Sequence, residues 1–182
     1  MKRKKFLLAS LATLPAIASA PTLLAASRSK TPFVVDAGKP RQGEPVKFMG
    51  MHPNELKISS RDTDGELSVF EYVGLAKTGP PLHVHFEQDE IFYIVEGEYR
   101  FVVGEKTMQL NAGDTVFLPR NIPHTWLQLT DRGKLIYFLQ PAGKMEEFFA
   151  YMNKLTTLPS PEEMEKVHRQ HNMSVVGPPL TL

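Results

Sequence analysis

The sequence contains no cysteine among its 182 residues. Disulfide bonds, thiolate metal ligands and a lipid-modified cysteine are therefore excluded, so a metal ion would need imidazole or carboxylate ligands. An excess of charge of one sign is also lacking, because 21 Lys and Arg residues balance 20 Asp and Glu residues and leave a net charge of +1. Since no basic stripe is present, we expect no nucleic-acid partner.

Long apolar runs are scarce too, and the one near the N-terminus is typical of a targeting segment. Residues 2–5 read Lys-Arg-Lys-Lys, and the apolar residues 6–20 that follow are short for a membrane span. Cleavage fits after Ala20 or, because Pro21 follows that site, near Ala26. We predict that residues 1–26 are a signal peptide that is removed. The protein is then exported, periplasmic or secreted, without stable membrane association.

Two export routes are compatible with this segment. An ordinary secretory (Sec) signal is one, and a twin-arginine-like signal in which Lys4 replaces the second arginine is the other. The second route would export a folded chain, so that a metal could be inserted before export.

Histidines at alternate positions indicate a metal site in the middle of the chain. Side chains alternate faces along a strand, so His83 and His85 lie on one face with Val84 on the other. Two imidazoles on one face can chelate one ion. Glu90 opens the β-branched and aromatic run of residues 91–95 and could return a carboxylate to the same place.

A third histidine follows a second strand and a tight corner. Gly113 and Asp114 form a turn signal, residues 116–118 are a short strand, and the corner between Pro119 and Pro123 delivers His124 to the next strand. A lone histidine in an apolar strand is more often a hydrogen-bonded core residue than a ligand. His124 is therefore a candidate metal ligand only in combination with His83, His85 and Glu90.

The remaining chain predicts an all-β domain followed by helices. Short strands separated by turns, without helices between them, favour an antiparallel sandwich or small barrel, for which a jelly roll is the natural solution. Residues 99–103 and 107–110 form a hairpin turned at residues 104–106. Residues 144–155 form an amphipathic helix, and Ser160 caps a second helix that begins with Pro161. His168 and His171, on or near the second helix, are expected at the surface.

These motifs resemble those of the cupin superfamily, of the single-domain cupin-2 type. The resemblance covers roughly residues 64–141. Asn121 replaces a glycine of the family pattern, which asparagine tolerates because it enters the left-handed region readily. Gln128 replaces an asparagine that is not a ligand. The matching residues are His83, His85, Glu90 and Gly97 in the first motif, and Gly113, Pro119, Asn121, His124 and Gln128 in the second.

The resemblance implies a centre of three histidines and one glutamate that binds one divalent transition metal ion. Its ligands would be His83, His85, Glu90 and His124; Fe, Mn, Ni, Co, Cu and Zn all suit these ligand types. Glu87 and Asp89 compete with Glu90 for the carboxylate position, but only Glu90 leaves six residues before Gly97.

The domain organisation follows from the same resemblance. We expect an N-terminal arm at residues 27–45, a cupin jelly-roll barrel at 46–141, and a helical segment with a tail at 142–182. Residues 175–180 and 143–149 are similar to parts of a subgroup of bacterial cupins related to quercetin dioxygenases. Residues 33–49 are long for a segment that leads into a barrel. Because cupins commonly exchange or pack such arms across a two-fold axis, we predict a homodimer.

The subgroup implies a metal-dependent dioxygenase, an oxidoreductase, that acts with dioxygen on a small-molecule substrate of the flavonol or enol-bearing aromatic type. In that branch the glutamate that matches Glu90 is catalytic and accepts a proton from the substrate hydroxyl. Two alternatives stay open: a metal-dependent isomerase, epimerase, lyase or hydrolase, and a non-enzymatic metal- or ligand-binding protein. No obvious acid–base pair beyond Glu90 is present, which weighs mildly against the first alternative.

Apolar side chains of the same strands are candidates for a substrate-binding wall. An ordinary role in the barrel core is the alternative for each of them. The candidates are Met49, Tyr72, Phe92, Ile94, Trp126 and Phe138.

Overall fold

The computed structural model describes residues 28–48, 50–155, 157 and 159–182. The predicted signal peptide and Met49 lie outside these residues. The described strands are β1 (Lys47–Phe48), β2 (His52–Ile58), β3 (Ser68–Gly74), β4 (Pro81–His85), β5 (Asp89–Glu96), β6 (Glu98–Val103), β7 (Lys106–Asn111), β8 (Thr115–Leu118), β9 (His124–Gln128), β10 (Gly133–Gln140) and β11 (Met173–Pro179), and the α-helices are α1 (Met145–Lys154) and α2 (Pro161–Gln170).

The strands form two antiparallel sheets. One sheet has six strands in the order β1-β2-β3-β10-β5-β8, and the other has five in the order β11-β4-β9-β6-β7. Strands that are neighbours in space are therefore often distant in sequence, as in a jelly roll. The predicted all-β fold class is confirmed.

Aromatic side chains fill the space between the sheets. The Phe92 ring stacks on Tyr137 with ring centroids 5.2 Å apart and meets Phe101 edge-on at 5.3 Å. The Tyr72 and Trp126 rings pack in an edge-to-face arrangement, with ring centroids 5.2 Å apart. All five side chains are at most 6% exposed, so their burial supplies much of the hydrophobic stabilisation of the barrel.

The β6–β7 hairpin lies where the sequence predicts it. Val103 pairs with Lys106, and Gly104 in the connection has φ +57°. A positive φ suits glycine because it has no Cβ, and such residues are preferred in two-residue hairpin loops.

The two α-helices cover one side of the barrel. Helix α1 buries Met145, Phe148 and Phe149. Helix α2 begins with a capping box, in which the Ser160 hydroxyl accepts a hydrogen bond from the Glu163 amide and the Glu163 carboxylate accepts one from the Ser160 amide. Within the described part of the chain, neither helix is long and apolar enough to cross a membrane.

The end of the chain differs from the sequence prediction of a tail. Residues Met173–Pro179 form β11, which pairs antiparallel with β4, with Met173 opposite His85 and Val175 opposite His83. The pairing is irregular after Val175, where Gly177 is opposite Leu82. The C-terminal strand therefore backs the strand that carries two of the proposed metal ligands.

The predicted N-terminal arm contacts the barrel of its own chain. The Arg41 amide donates to the Leu56 carbonyl at 2.6 Å, and Lys57 donates to the carbonyl of Lys39 at 2.8 Å. The Gly38 amide donates to the Glu71 carboxylate at 3.3 Å. The homodimer stays a prediction.

Candidate metal centre

The four predicted ligands come from three strands that the fold brings together. His83 and His85 lie on β4, and His124 at the start of β9 is directly opposite His83. Glu90 lies on β5 in the other sheet. The site is therefore built across the interior of the barrel, from both sheets.

The ligand atoms are close enough to surround one ion. One nitrogen or oxygen from each of the four residues lies within 4.8 Å of all the others. The Glu90 Oε2 is 3.2 Å from His124 Nε2 and 3.9 Å from His85 Nε2. The ring centroids of His83 and His124 are 4.6 Å apart. Since a metal ion holds nitrogen and oxygen ligands at about 2.0–2.2 Å, a small inward movement would complete such a centre.

Backbone carbonyls fix the proton positions on two of the imidazoles. His83 Nδ1 lies 2.8 Å from the Pro81 carbonyl, and His124 Nδ1 lies 3.0 Å from the Ile122 carbonyl. A carbonyl only accepts a hydrogen bond, so each Nδ1 carries the proton and each Nε2 keeps its lone pair. Both Nε2 atoms are thus ready to bind a metal.

The chemistry of this cluster fits a cation. His124 Nε2 is buried and has no hydrogen-bond partner among the described residues. Its nearest charged neighbour, Glu90 Oε2, is also an acceptor, so two lone pairs face each other at 3.2 Å with no donor between them. His124 and His85 are 1% exposed and Glu90 is 5% exposed. A divalent metal ion would satisfy all of these groups, so the residues present fit the ion that the sequence predicts.

Burial keeps the imidazoles of His83 and His85 neutral, which is the form that binds a metal. The pKa of His83 and of His85 is lowered to about 3, mainly by desolvation and in smaller part by the neighbouring His124. The side chain of Gln88, which is fully buried, acts in the opposite direction on the His85 pKa. Although Gln88 lies beside His85, its amide atoms have no partner within normal hydrogen-bond geometry among the described residues.

Hydrogen bonds hold the corner between Pro119 and Pro123, which positions His124 at the start of β9. Asn121 has φ +64°, the left-handed conformation that the sequence predicts for this position, and its amide donates to the His85 carbonyl at 2.7 Å. Arg120 donates three hydrogen bonds to the Asp89 carboxylate, from its backbone amide at 2.8 Å and from its guanidinium at 3.1 and 2.7 Å. Asp89 therefore belongs to the support of the corner, and Glu87 is exposed and accepts from Asn172. Glu90 is the carboxylate that faces the imidazoles.

A cavity of about 270 Å³ opens beside His83, His85 and Glu90. Of the predicted substrate-binding residues, Tyr72, Phe92 and Trp126 line this cavity.

Two of the predicted wall residues lie elsewhere. Ile94 is fully buried in the barrel core and does not border the cavity. Successive side chains of a strand point to opposite faces, so Phe138 and Tyr137 lie on opposite faces of β10. Tyr137, and not Phe138, lines the cavity. Met49 lies outside the described residues.

The cavity also has walls that the sequence interpretation did not assign. Asn54 and Tyr137 contribute polar groups, and helix α1 contributes Phe148 and Phe149. The apolar spacing in residues 144–155 is the signal that could have placed α1 there, since an amphipathic helix turns its apolar face to the barrel.

His168 is not a surface residue, contrary to the sequence prediction. Its side chain is 7% exposed, lines the cavity and packs on Phe148 with ring centroids 5.1 Å apart. Its Nδ1 lies 2.7 Å from the Met164 carbonyl, so its Nε2 is an acceptor. His171 is half-buried against the same Phe148. In the described part of the chain, the clustered metal-type ligands do not include either of these histidines.

Comparison with known proteins agrees with this geometry. Residues 72–139 match the family model described as "Cupin domain". Quercetin 2,3-dioxygenase from Bacillus subtilis (strain 168) is 27% identical over 118 residues, which are 65% of this chain and 34% of that protein. Uncharacterized protein MJ1618 from Methanocaldococcus jannaschii is 35% identical over 43 residues, which are 24% of this chain and 34% of that protein. The chain thus matches about a third of the length of these curated relatives.

A solved structure supports the fold. An RmlC-like cupin from Shewanella frigidimarina NCIMB 400 is 24% identical, with 58% of this chain and 89% of that chain covered and a TM-score of 0.50. The family match spans the strands that carry every proposed metal ligand, and the two sheets close around those ligands as the family motifs imply. Residues 72–139 accordingly match a cupin domain, and the chain has the fold of the cupin structure it resembles.

Proposed function

We propose that the protein is a metal-dependent dioxygenase of the quercetinase-like kind, acting on a small aromatic compound that carries an enol-type hydroxyl. The observation that carries the proposal is the cavity itself, in which an apolar aromatic wall ends at His83, His85 and Glu90. The likeness to the Bacillus quercetin 2,3-dioxygenase supports it.

The cavity suits a flat apolar ring. Phe92 and Trp126 form part of one wall, and Phe148 and Phe149 of α1 form part of another. Aromatic faces and edges bind aromatic ligands favourably, and an enclosed apolar wall excludes water from the reacting groups. A hydroxylated aromatic compound would therefore place its apolar body among these side chains and its oxygens at the polar end.

Glu90 is the group placed to move a proton. Its Oε2 lies beside His124 and His85 at the end of the cavity, on a rigid strand rather than a loop. A substrate hydroxyl at this position would give its proton to Glu90, which makes the ring electron-rich and reactive towards dioxygen. A bound divalent ion would act there as a Lewis acid and as a template for the substrate oxygens.

One observation favours a second candidate function. His168 supplies an imidazole to the cavity that does not belong to the ligand cluster, and its acceptor Nε2 could serve in acid–base chemistry. Together with Glu90, it would give an isomerase or lyase the second proton-transfer group that the sequence did not reveal.

Oxygen consumption separates the two functions. The protein is loaded in turn with Fe(II), Mn(II), Ni(II), Co(II), Cu(II) and Zn(II), and oxygen uptake is followed with quercetin and with smaller hydroxy-enones. We expect uptake with at least one metal, and its loss in Glu90→Gln. The exposed Glu87→Gln is the matched control and should retain uptake. If no metal form consumes oxygen, the dioxygenase proposal is wrong.

Export is part of the proposal. The basic residues 2–5 and the apolar residues 6–20 support a signal that directs the chain out of the cytoplasm. Fractionation of the host, followed by N-terminal sequencing of the mature chain, tests it. An unprocessed chain in the cytoplasmic fraction would contradict export.

A further inference from the structure

Two buried polar groups in the cavity wall have no hydrogen-bond partner among the residues that the structure describes. Asn54 is 1% exposed and Tyr72 is 2% exposed, and both line the cavity. Neither Asn54 Nδ2 nor the Tyr72 hydroxyl has a hydrogen-bond partner among the described residues. The two residues are directly opposite each other on β2 and β3, so their side chains lie on the same face of the sheet. Buried polar groups are nearly always paired, so two adjacent unpaired ones in a cavity wall indicate a ligand.

The Asn54 amide has a defined orientation. The Tyr137 hydroxyl donates to Asn54 Oδ1 at 2.8 Å, and the Tyr137 hydroxyl has no other partner among the described residues. If the amide were rotated, the Tyr137 proton would lose its acceptor, so Oδ1 is the atom that faces Tyr137. The Nδ2 group is consequently left as a free donor.

The Tyr72 hydroxyl is a donor held in place by its ring. The ring packs against Trp126, with centroids 5.2 Å apart, and against Phe48 at 6.0 Å. Burial raises the pKa of Tyr72 well above its usual value, so the phenol stays protonated. Asn54 and Tyr72 together hold two unpaired donors, each with less than 1 Å² of accessible surface, so a ligand oxygen could accept from them only after a small shift of the two side chains.

This donor pair lies away from the proposed metal ligands. Along β10, Glu90 is opposite Leu139 and Tyr72 is opposite Leu135. The separation of four residues corresponds to about 13 Å between backbone positions along the strand, at about 3.3 Å per residue. A ligand that spans these two levels of the sheet carries oxygens at two ends of an apolar body.

The cavity volume limits the size of that body. A cavity of about 150 Å³ holds one benzene ring. The cavity of about 270 Å³ has less than twice that volume, which suits one or two fused rings better than a complete three-ring flavonol.

We propose that Asn54 and Tyr72 form a donor pair for a distal oxygen of the substrate. The substrate class is then a one- or two-ring hydroxy-enone with an additional carbonyl, ether or phenol oxygen at the end remote from Glu90. The choice of a hydroxy-enone rests on the proposed function, whereas the donor pair rests on the unpaired atoms alone.

Matched probes test the pair by binding rather than by turnover. The protein is loaded with redox-inactive Zn(II), and its affinities for 3-hydroxychromone, 3,6-dihydroxychromone and 3,7-dihydroxychromone are measured by isothermal titration calorimetry. The three probes share the chelating hydroxy-ketone, and only the last two carry a distal oxygen. We expect at least one dihydroxychromone to bind wild-type protein about 5- to 10-fold more tightly than 3-hydroxychromone.

Variants assign that preference to the pair. Tyr72→Phe removes only the hydroxyl, and Asn54→Asp keeps the acceptor for Tyr137 while replacing the donor. Either variant should abolish the preference for the distal oxygen and leave the affinity for 3-hydroxychromone within about twofold. Tyr99→Phe is the control, because the Tyr99 hydroxyl is buried, donates to Gln128 Oε1 at 3.3 Å and does not border the cavity.

The outcomes separate this inference from the proposed reaction. A wild-type protein that binds none of the probes, or binds all three equally, overturns the donor pair. A preference that survives in Tyr72→Phe and in Asn54→Asp does so as well, and if Asn54→Asp does not fold, Tyr72→Phe decides alone. Failure to consume oxygen would contradict the dioxygenase without changing the affinities for the Zn(II) form.

Discussion

The free energy of unfolding of the metal-free protein should fall as the pH drops below 6.5. This is well above the pH at which ordinary carboxylates are protonated. Burial lowers the pKa of His83 and His85 from 6.5 to about 3 in the folded chain. Below pH 6.5 these two histidines are therefore protonated in the unfolded chain, whereas they remain neutral in the folded chain. The free energy of unfolding is unaffected by these two groups above that pH, and it falls as the pH drops from 6.5 towards 3.

The magnitude follows from the size of the shift. Each pH unit below 6.5 costs about 1.4 kcal/mol per histidine, so at pH 5 each of the two lowers the free energy of unfolding by about 2 kcal/mol. The pair together removes about 4 kcal/mol, against a typical total of about 5–15 kcal/mol for a globular domain. The two groups interact with each other, so about 4 kcal/mol is the scale of the effect rather than a sum of independent parts.

Urea unfolding at pH 7, 6 and 5 measures this loss, with a chelator present to keep the protein metal-free. The midpoint should fall steeply over this range, and His85→Gln should show about half of the decrease because one of the two groups is gone. Saturation with Zn(II) should restore stability, by about 2.7 kcal/mol at 100 times the dissociation constant. An unchanged midpoint between pH 7 and pH 5 would show that the imidazoles are not desolvated as their positions require.

Four further results are expected. His124→Ala should reduce the metal content of purified protein from about one to below about 0.1 per chain, whereas His171→Ala should leave it unchanged; elemental analysis decides. Gly79→Ala should lower the free energy of unfolding by about 2 kcal/mol or more in urea titrations, because its Cβ would overlap the Trp126 carbonyl. Tyr72→Phe should raise the free energy of unfolding of the ligand-free protein by about 1 kcal/mol, since it removes a buried hydroxyl that no described residue pairs with; a clear decrease would contradict this. Sedimentation velocity should give twice the mass of the processed chain, and a monomer would refute the homodimer.

The sequence predicted the features that depend on local pattern. The period of two places His83 and His85 on one face, and the cap of Ser160 with Pro161 after it starts α2. That His124 lies opposite His83 is a long-range pairing which no local period contains. It became predictable only through the resemblance of both motifs to a family.

Register explains the error at Phe138. The run Leu-Ile-Tyr-Phe-Leu in β10 is apolar at every position, so alternation could not indicate which residues face inward. Shifting a strand by one residue exchanges its two faces, and the structure turns Tyr137 inward instead. Ile94 illustrates a different limit, because its inward direction was expected, but position along the strand decides whether an inward side chain meets the cavity or the core.

The C-terminal segment shows why composition alone misled. His168 stands between Lys166 and Arg169, which suggests an exposed face, yet α2 turns it onto Phe148. The proline- and glycine-rich residues 177–179 suggest a tail, yet an irregular pairing accommodates them beside β4. Tertiary contacts overrode local preference in both cases.

Because of these long-range contacts, one part of the chain supplies the proposed metal ligands and another part supplies much of the cavity wall. The two family motifs supply the ligands from both sheets, so that binding of one metal ion would tie β4 and β9 to β5 across the barrel. The segment after residue 141 supplies Phe148, Phe149 and His168 to the wall of the cavity, and β11 pairs with the strand of His83 and His85. Metal affinity should therefore depend mainly on the motifs, because they contain all four proposed ligands. The choice of substrate should depend on the helices and on the Asn54–Tyr72 pair, which border the cavity without belonging to the ligand cluster. Because that choice lies largely outside the ligand cluster, two proteins with this fold and the same ligands can bind different molecules.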